Sequence, residues 1–336
     1  LGAMGLCVRQ LVDHREMDSG DVVVTNHPAF GGSHLPDVTV AAPVHVEGRL
    51  LGYVACRAHH AEIGGIRPGS VPPDARCLAE EGVVIPPTLL VEGGEPRWQR
   101  IERLHSSGAH PSRMPADNLA NLRAMLASIT RGREALAGLA GAVGIEHVIA
   151  HMNALRELAA EQVRDALSRL PDGVHVGCQQ LDDGAVLKAT FTIEGDRAVL
   201  DFSGTAGVHS GNLNATPAIV HSVVMYVMRL MVSANLPLNE GLLEPVDIRI
   251  PPDTILDPPY DADPEHCPAV VGGNVETSQR LVDTLIEALD LMGCSQGTMN
   301  NISFGDESFG YYETVAGGSG AGNGFDGTGG VHTHMT

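Results

Sequence analysis

A chain of 336 residues with 43% hydrophobic content can bury a sizeable core in more than one packed unit. Aromatic content is only 4%, so Val, Leu, Ile, Ala and Met must fill that interior. The formal net charge of −20 argues against nucleic acid or an anionic membrane as a partner.

Residues 1–20 open with a short amphipathic helix on Leu6, Val8, Leu11 and Val12, closed by Asp18-Ser19-Gly20. Asp21 to Thr25 reads as a buried strand ended by Asn26-His27-Pro28. A Gly-Gly loop leads into a hairpin over Asp37–His60, and the Gly- and Pro-rich stretch 63–74 is loop. Asp117 is placed as the N-cap of a helix bearing Leu119, Leu122, Leu126 and Ile129. A longer helix follows over about 145–170, with Val148, Ile149, Met152, Leu155, Val163 and Leu167 as its apolar stripe. The two form a helical hairpin packed against the first sheet. Beyond residue 174 come a hairpin turning at Glu194-Gly195-Asp196, a helix within 212–234, the strand Val246–Ile250, a helix over 275–292 and a glycine-rich loop.

The expected fold class is α+β, with antiparallel hairpins and mixed sheets packed by long amphipathic helices. The division is a β-rich region 1–112, a helical hairpin 113–173 and an α/β region 174–336. The apolar stretch 215–234 is interrupted by His221 and Arg229, which favours a buried helix over a membrane span. Six cysteines without a CxxC pair suit free thiols in the cytoplasm. No signal peptide is visible, and both ends read as cut from a longer protein.

The hairpin carries the chemistry. In an antiparallel pair, directly opposed residue numbers add to a constant, so a turn of two, three or four residues sets Asp37 against Ala58, His59 or His60. Each brings a carboxylate and an imidazole to the same open end, and His34 stands three residues before Asp37. Two imidazoles, one carboxylate and open positions suit a catalytic divalent metal. A solvated His-His pair and a turn-closing His-x-x-Asp bond are the bland reading.

Other signals are weaker. Gly322 to Gly327 fits GxGxxG without the flanking strand and helix a dinucleotide needs. There is no P-loop and no GxSxG elbow, and Lys188 is the sole lysine. His332 and His334 form an HxH pair that offers a second metal or pocket position. Asn26, Asn274, Glu276 and Asn300 are candidates for substrate contact, with capping and turn roles as the alternative.

The segments NHPAFGGSHLPDVTVAAPV, RAHHAEIGGIRPGSVPP, DFSGT, GNLNA, PLNEG, VVGGNVETSQR, SQGTMNN, GYYETVAGGSGAG and GVHTHMT together resemble the hydantoinase B/oxoprolinase family. The resemblance runs through nearly the whole chain in order. It implies an ATP-dependent hetero-oligomeric system. In it an A-type component phosphorylates a cyclic amide or ketone, and a B-type component, like this chain, completes the reaction at a metal. Carried over residue by residue, the family's metal ligands fall on His34, Asp37 and His59, for Zn, Mn or Fe. The implied reaction is hydrolysis of a phosphorylated imidate, with His60 or Glu62 moving the proton. The alternatives are a subunit of an acetone- or acetophenone-type carboxylase and a non-catalytic metal-binding assembly subunit. Two departures stand out: His27 follows Asn26 where many members have Asp, and Glu62 replaces the usual Asp of HHADIGG.

Overall fold

The computed structural model describes residues 2–295, 301–305 and 310–331, with the backbone alone for 301–305 and 310–314. The fold mixes helices and sheets, as expected. Helix α1 (Met4–His14) leads into β1 (Val22–Thr25), β2 (Asp37–Val46) and β3 (Arg49–His59). The short helix α2 (Leu78–Glu81), strands β4 (Thr88–Glu92) and β5 (Glu95–Pro96), and α3 (Trp98–His105) complete the first layer. The sheet order is β3-β2-β1-β4-β5, antiparallel throughout.

Strand alternation decides what covers each face. Val22, Val24, Val38 and Val40 pack with Leu122, Met125 and Ile129 of α4 (Pro115–Val143). Val23 and Ala41 turn the other way, onto Cys7 and Leu11 of α1. The first sheet is thus held between two helices.

α4 differs from the sequence reading at both ends. It starts at Pro115, whose fixed φ and missing N–H suit the first turn, so Asp117 lies inside that turn and is not the cap. At Gly144 (φ 92°) the chain bends by 110° into α5 (Ile145–Leu167). The pair is a corner, not a hairpin on one sheet. Ala159, Val163 and Leu167 of α5 belong to a second core. The expected stripe fails at Met152 and Leu155, which are exposed. Residues 113–173 are shared between two cores.

The second core lies on a mixed sheet in the order β6 (Gly173–Gln180), β7 (Val186–Glu194), β8 (Arg197–Asp201), β9 (Val246–Arg249). The β8–β9 pair is parallel. Helix α6 (Pro217–Met231) is capped by Thr216, whose side chain accepts from Ile219 N–H at 3.3 Å. α7 (Ser278–Ala288) crosses β6 at Gly177, where an added Cβ would lie 2.0 Å from the Thr284 carbonyl. Gly177→Ala is therefore expected to lower stability by about 3 kcal/mol, the cost of overpacking where backbone cannot give way; urea unfolding measures it. Short pairs β10 (Asn301–Gly305) with β11 (Gly310–Thr314) and β12 (Gly318–Ser319) with β13 (Thr328–Gly329) follow. Among the described residues no single helix is long and apolar enough to cross a membrane.

Candidate active site at the open end of the β2–β3 hairpin

Asp37 lies directly opposite His59. That is the partner a three-residue turn would give, yet the turn has two residues. Glu47 (φ 52°) and Gly48 (φ 77°) close a tight left-handed turn of the kind that matches strand twist. Val46 pairs with Arg49 and His45 with Leu50; then Leu51 is bulged out and Val44 resumes with Gly52. The bulge shifts the register by one residue and brings His59, not Ala58, level with Asp37.

His34 folds over this end on the entering loop. Its Nδ1 lies 3.2 Å from Asp37 Oδ2, and its ring centroid is 5.3 Å from that of His59. Ser33 Oγ donates to Asp37 Oδ2 at 2.6 Å. Burial alone would raise the Asp37 carboxyl; the hydrogen bond and charge of His34, with Ser33 and Arg57, outweigh it and hold the group well below the usual carboxylate range. Asp37 is therefore an anion at any working pH. Burial, then the neighbouring His34, lowers His59, which favours the neutral imidazole a metal needs.

Two separations in the trio are of the size a divalent ion would set. Two ligand atoms on one ion at metal–ligand bonds of about 2.1 Å stand about 3 Å apart, and two imidazole rings on a tetrahedral ion about 5 Å apart. The His34–Asp37 and His34–His59 separations match both. As the side chains stand, no group of three His, Cys, Asp or Glu among the described residues could hold a metal ion. Binding an ion would require the His34–Asp37 hydrogen bond to open and the exposed His59 to turn.

Asp37, Ser33 and Arg57 also form one wall of a cavity of about 460 Å³. The opposite wall is Val223 of α6 with Asn274 and Val282 beside and within α7. Arg57 is held upright by its own bonds, Nε to Thr39 Oγ1 at 2.7 Å and an Nη to the Gly31 carbonyl at 2.9 Å. Asn274 belongs to a single wide turn, Gly273–Thr277, with five-residue hydrogen bonding that runs directly into α7. Such turns recur at functional sites because they push a side chain out of helical phase.

Comparison with known proteins decides the family. The hydantoinase B/oxoprolinase family model matches residues 1–336. The chain belongs to this family. 5-Oxoprolinase 1 of Arabidopsis thaliana is 42% identical over all of this chain but 28% of its own length. The 5-oxoprolinase of Saccharomyces cerevisiae is 38% identical over 96% of this chain and 27% of its own. Among solved structures, the ATP-dependent caprolactamase from Pseudomonas jessenii superposes with a TM-score of 0.82 and 26% identity, over 98% of this chain and 59% of that one. An acetone carboxylase shares the fold alone, with a TM-score of 0.79 and 17% identity over 99% of this chain and 48% of its own. This hydantoinase B chain thus spans less than a third of the 5-oxoprolinases it matches.

The remaining candidates of the hydantoinase B chain are placed elsewhere. His60 stands just past the end of β3, is fully buried and meets other partners than His34 and Asp37. Asn118 Nδ2 bonds both His60 Nδ1 at 3.1 Å and the Glu62 carbonyl at 2.7 Å. With Nδ1 accepting, the ring proton sits on Nε2, facing the interior and the parallel His105 ring 6.4 Å away. Glu62 clasps the following loop, accepting from Gly64 N–H at 2.5 Å, Gly69 N–H at 3.2 Å and the Arg113 guanidinium at 3.3 Å. Neither lines the cavity, and the contacts that hold them are those of the surrounding loop and core. Asn26, also expected at the substrate, is instead fully buried scaffold. Its Nδ2 donates to the Leu35 and Val83 carbonyls at 2.9 Å each, and its Oδ1 accepts from Ile85 N–H at 2.7 Å. Asn274 lines the cavity, and Glu276 stands two residues further along the same turn without lining it. Asn300, His332 and His334 lie outside the described residues. Sequence reasoning missed Ser33 and Arg57. Arg57 was detectable, because residues two apart on a strand share a face and it precedes His59 by two.

Burial lowers both His60 and His105 to about 4. The unfolded chain protonates them below about 6.5, while the folded chain resists until about 4. Stability is therefore lost as pH falls from about 6.5 to about 4 and levels off below, by up to about 3 kcal/mol per histidine. His105→Phe should flatten that slope, as measured by unfolding midpoints at pH 7 and 5.

Proposed function

We propose that this chain is the metal-dependent B-type component of an ATP-dependent cyclic-amide hydrolase. It would work with an A-type component that consumes the ATP and hands over a phosphorylated imidate. The observation that carries the reading is the meeting of His34, Asp37 and His59 at the open end of the hairpin, with Asp37 itself in the wall of a largely apolar cavity. Family membership, and relatives named 5-oxoprolinase and caprolactamase, support the reaction class.

His34, Asp37 and His59 would hold the ion, of which Zn, Mn and Fe suit the donors. A divalent ion held there supplies Lewis acidity at neutral pH. The chain's own residues do the rest. Ser33 and His34 keep Asp37 ionised and oriented. Arg57, fixed by Thr39 and Gly31, sets a positive charge where negative charge develops on the substrate. Val223 and Val282 exclude water from around the ring, and the Asn274 amide offers one donor and one acceptor to the ring's own amide.

The test is reconstitution with the ATP-using component and a panel of lactams, hydantoins and ketones, with labelled bicarbonate present. ATP consumption that depends on a cyclic amide and yields unlabelled ring-opened product is expected. Label in the product would move the assignment to a carboxylase, of which the acetophenone carboxylase delta subunit of Aromatoleum aromaticum, 29% identical over 72% of this chain and 36% of its own length, is the relevant relative. Unchanged turnover after metal removal would leave a subunit that only shapes the complex. With one lysine and no P-loop, the chain alone is expected to hydrolyse no ATP, which a partner-free phosphate-release assay checks.

A further inference from the structure

Glu81, the last residue of α2, is a fully buried carboxylate with no basic partner among its contacts. Its Oε1 accepts from Val270 N–H at 2.8 Å and Val271 N–H at 2.7 Å, from a segment almost two hundred residues later in the chain. Those are the amides that open the helix leading through the wide turn at Gly273–Thr277 into α7. The next two amides, Gly272 and Gly273, are taken by the Asn212 carbonyl at 2.8 and 3.2 Å. A helix start leaves its first amides without intrahelical partners, and here the cap comes from another element altogether.

The approach to this cap is just as fixed. Leu78 N–H donates to the Cys267 carbonyl at 2.9 Å, Ala269 N–H to Arg76 at 3.2 Å, and Cys77 bridges to Pro268. The chain entering α2 is thereby strapped to 267–269, immediately before the amides that Glu81 caps. Downstream, Gly273 has no slack, since an added Cβ would lie 2.0 Å from the Asn214 carbonyl. Asn274 in the cavity wall stands three positions after the capped amide of Val271.

We propose that Glu81 is a positioning residue for the cavity: by capping Val270 and Val271 it fixes the phase of the wide turn and so the place of Asn274. Burying an acid is costly, and burial pushes this one up to about 8 despite the two amides. A hydrophobic residue would fill the space at less cost but would leave two buried N–H groups without acceptors. The carboxylate's function is thus its reach and its two lone pairs rather than its charge.

Two conservative variants separate these properties. Glu81→Gln keeps the reach and the accepting oxygen but removes the ionisable acid. Glu81→Asp keeps the acid but falls short by one methylene, about 1.5 Å. Hydrogen exchange followed by mass spectrometry on the full chain reads the cap directly, with peptides of β7 as the internal control. Exchange over 270–277 should accelerate about tenfold in Glu81→Asp and stay near wild type in Glu81→Gln, with β7 unchanged in both. Protection kept in Asp and lost in Gln would overturn the proposal in favour of a charge effect. Equal behaviour of the two variants, whether both protected or both exposed, would also overturn it. In the reconstituted system the KM for the cyclic amide should rise in Asp more than kcat falls, with Gln restoring it. Exchange decides the inference even if the wild-type system turns nothing over, and that outcome would count against the proposed reaction alone.

Discussion

Asp37→Ala is expected to bring the metal content of the purified chain from about one divalent ion to background, and to lower turnover of the reconstituted system by at least about a thousandfold. Asp37 is the member of the trio that receives both Ser33 and His34, so its removal leaves two imidazoles and no carboxylate between them. His59→Ala should behave alike, because register puts its ring level with Asp37. His60→Ala should keep the metal: its side chain faces Asn118 and His105, and its loss should appear chiefly as lower thermal stability. Elemental analysis of the three variants separates the outcomes. Metal retained in Asp37→Ala, or lost only in His60→Ala, would end the ligand assignment.

The largest stability effect is expected at Asn26. Asn26→Ala removes three buried hydrogen bonds and leaves the Leu35 and Val83 carbonyls and the Ile85 amide without partners. At about 1–3 kcal/mol for each abandoned group, partly relieved by water entering the gap, a loss of about 4 kcal/mol is expected. Asn26→Asp should be worse, since it turns a carboxylate oxygen toward two carbonyls at the 2.9 Å contacts. Denaturant unfolding of both variants provides the measurement; a loss under about 1 kcal/mol would show that the loop before His34 does not depend on this residue.

The sequence disclosed the hairpin well because strand chemistry is local. Val38, Val40 and Val44 mark β2, and Glu47-Gly48 marks the turn. The bulge at Leu51 is not marked by any residue type, so the pairing of Asp37 with His59 emerged from an assumed turn length that the fold does not use. The α4–α5 corner was hidden for a different reason. Gly144 ends one helix as readily in a corner as in a hairpin, and only the second core, absent from local pattern, decides which. Asn26 misled because buried amides and substrate-binding amides look the same in one dimension; its three partners lie nine to 59 positions away. The wide turn at 273–277 carries no compositional mark beyond its glycines, and Glu81 none at all.

Cys267 and Val270 pack in the first core, among valines of β1 and β2, although the buried core members from Ala159 to Leu256 belong to the second core. The first core is complete only when a late segment threads back to it. During synthesis the first sheet therefore waits, with part of its interior uncovered, until the segment around Val270 has left the ribosome. Long-range closure of this kind slows folding and lengthens the time apolar surface is exposed to association. Expression of N-terminal portions alone would present that open face permanently, so aggregation is the natural fate of any truncation that stops before the return.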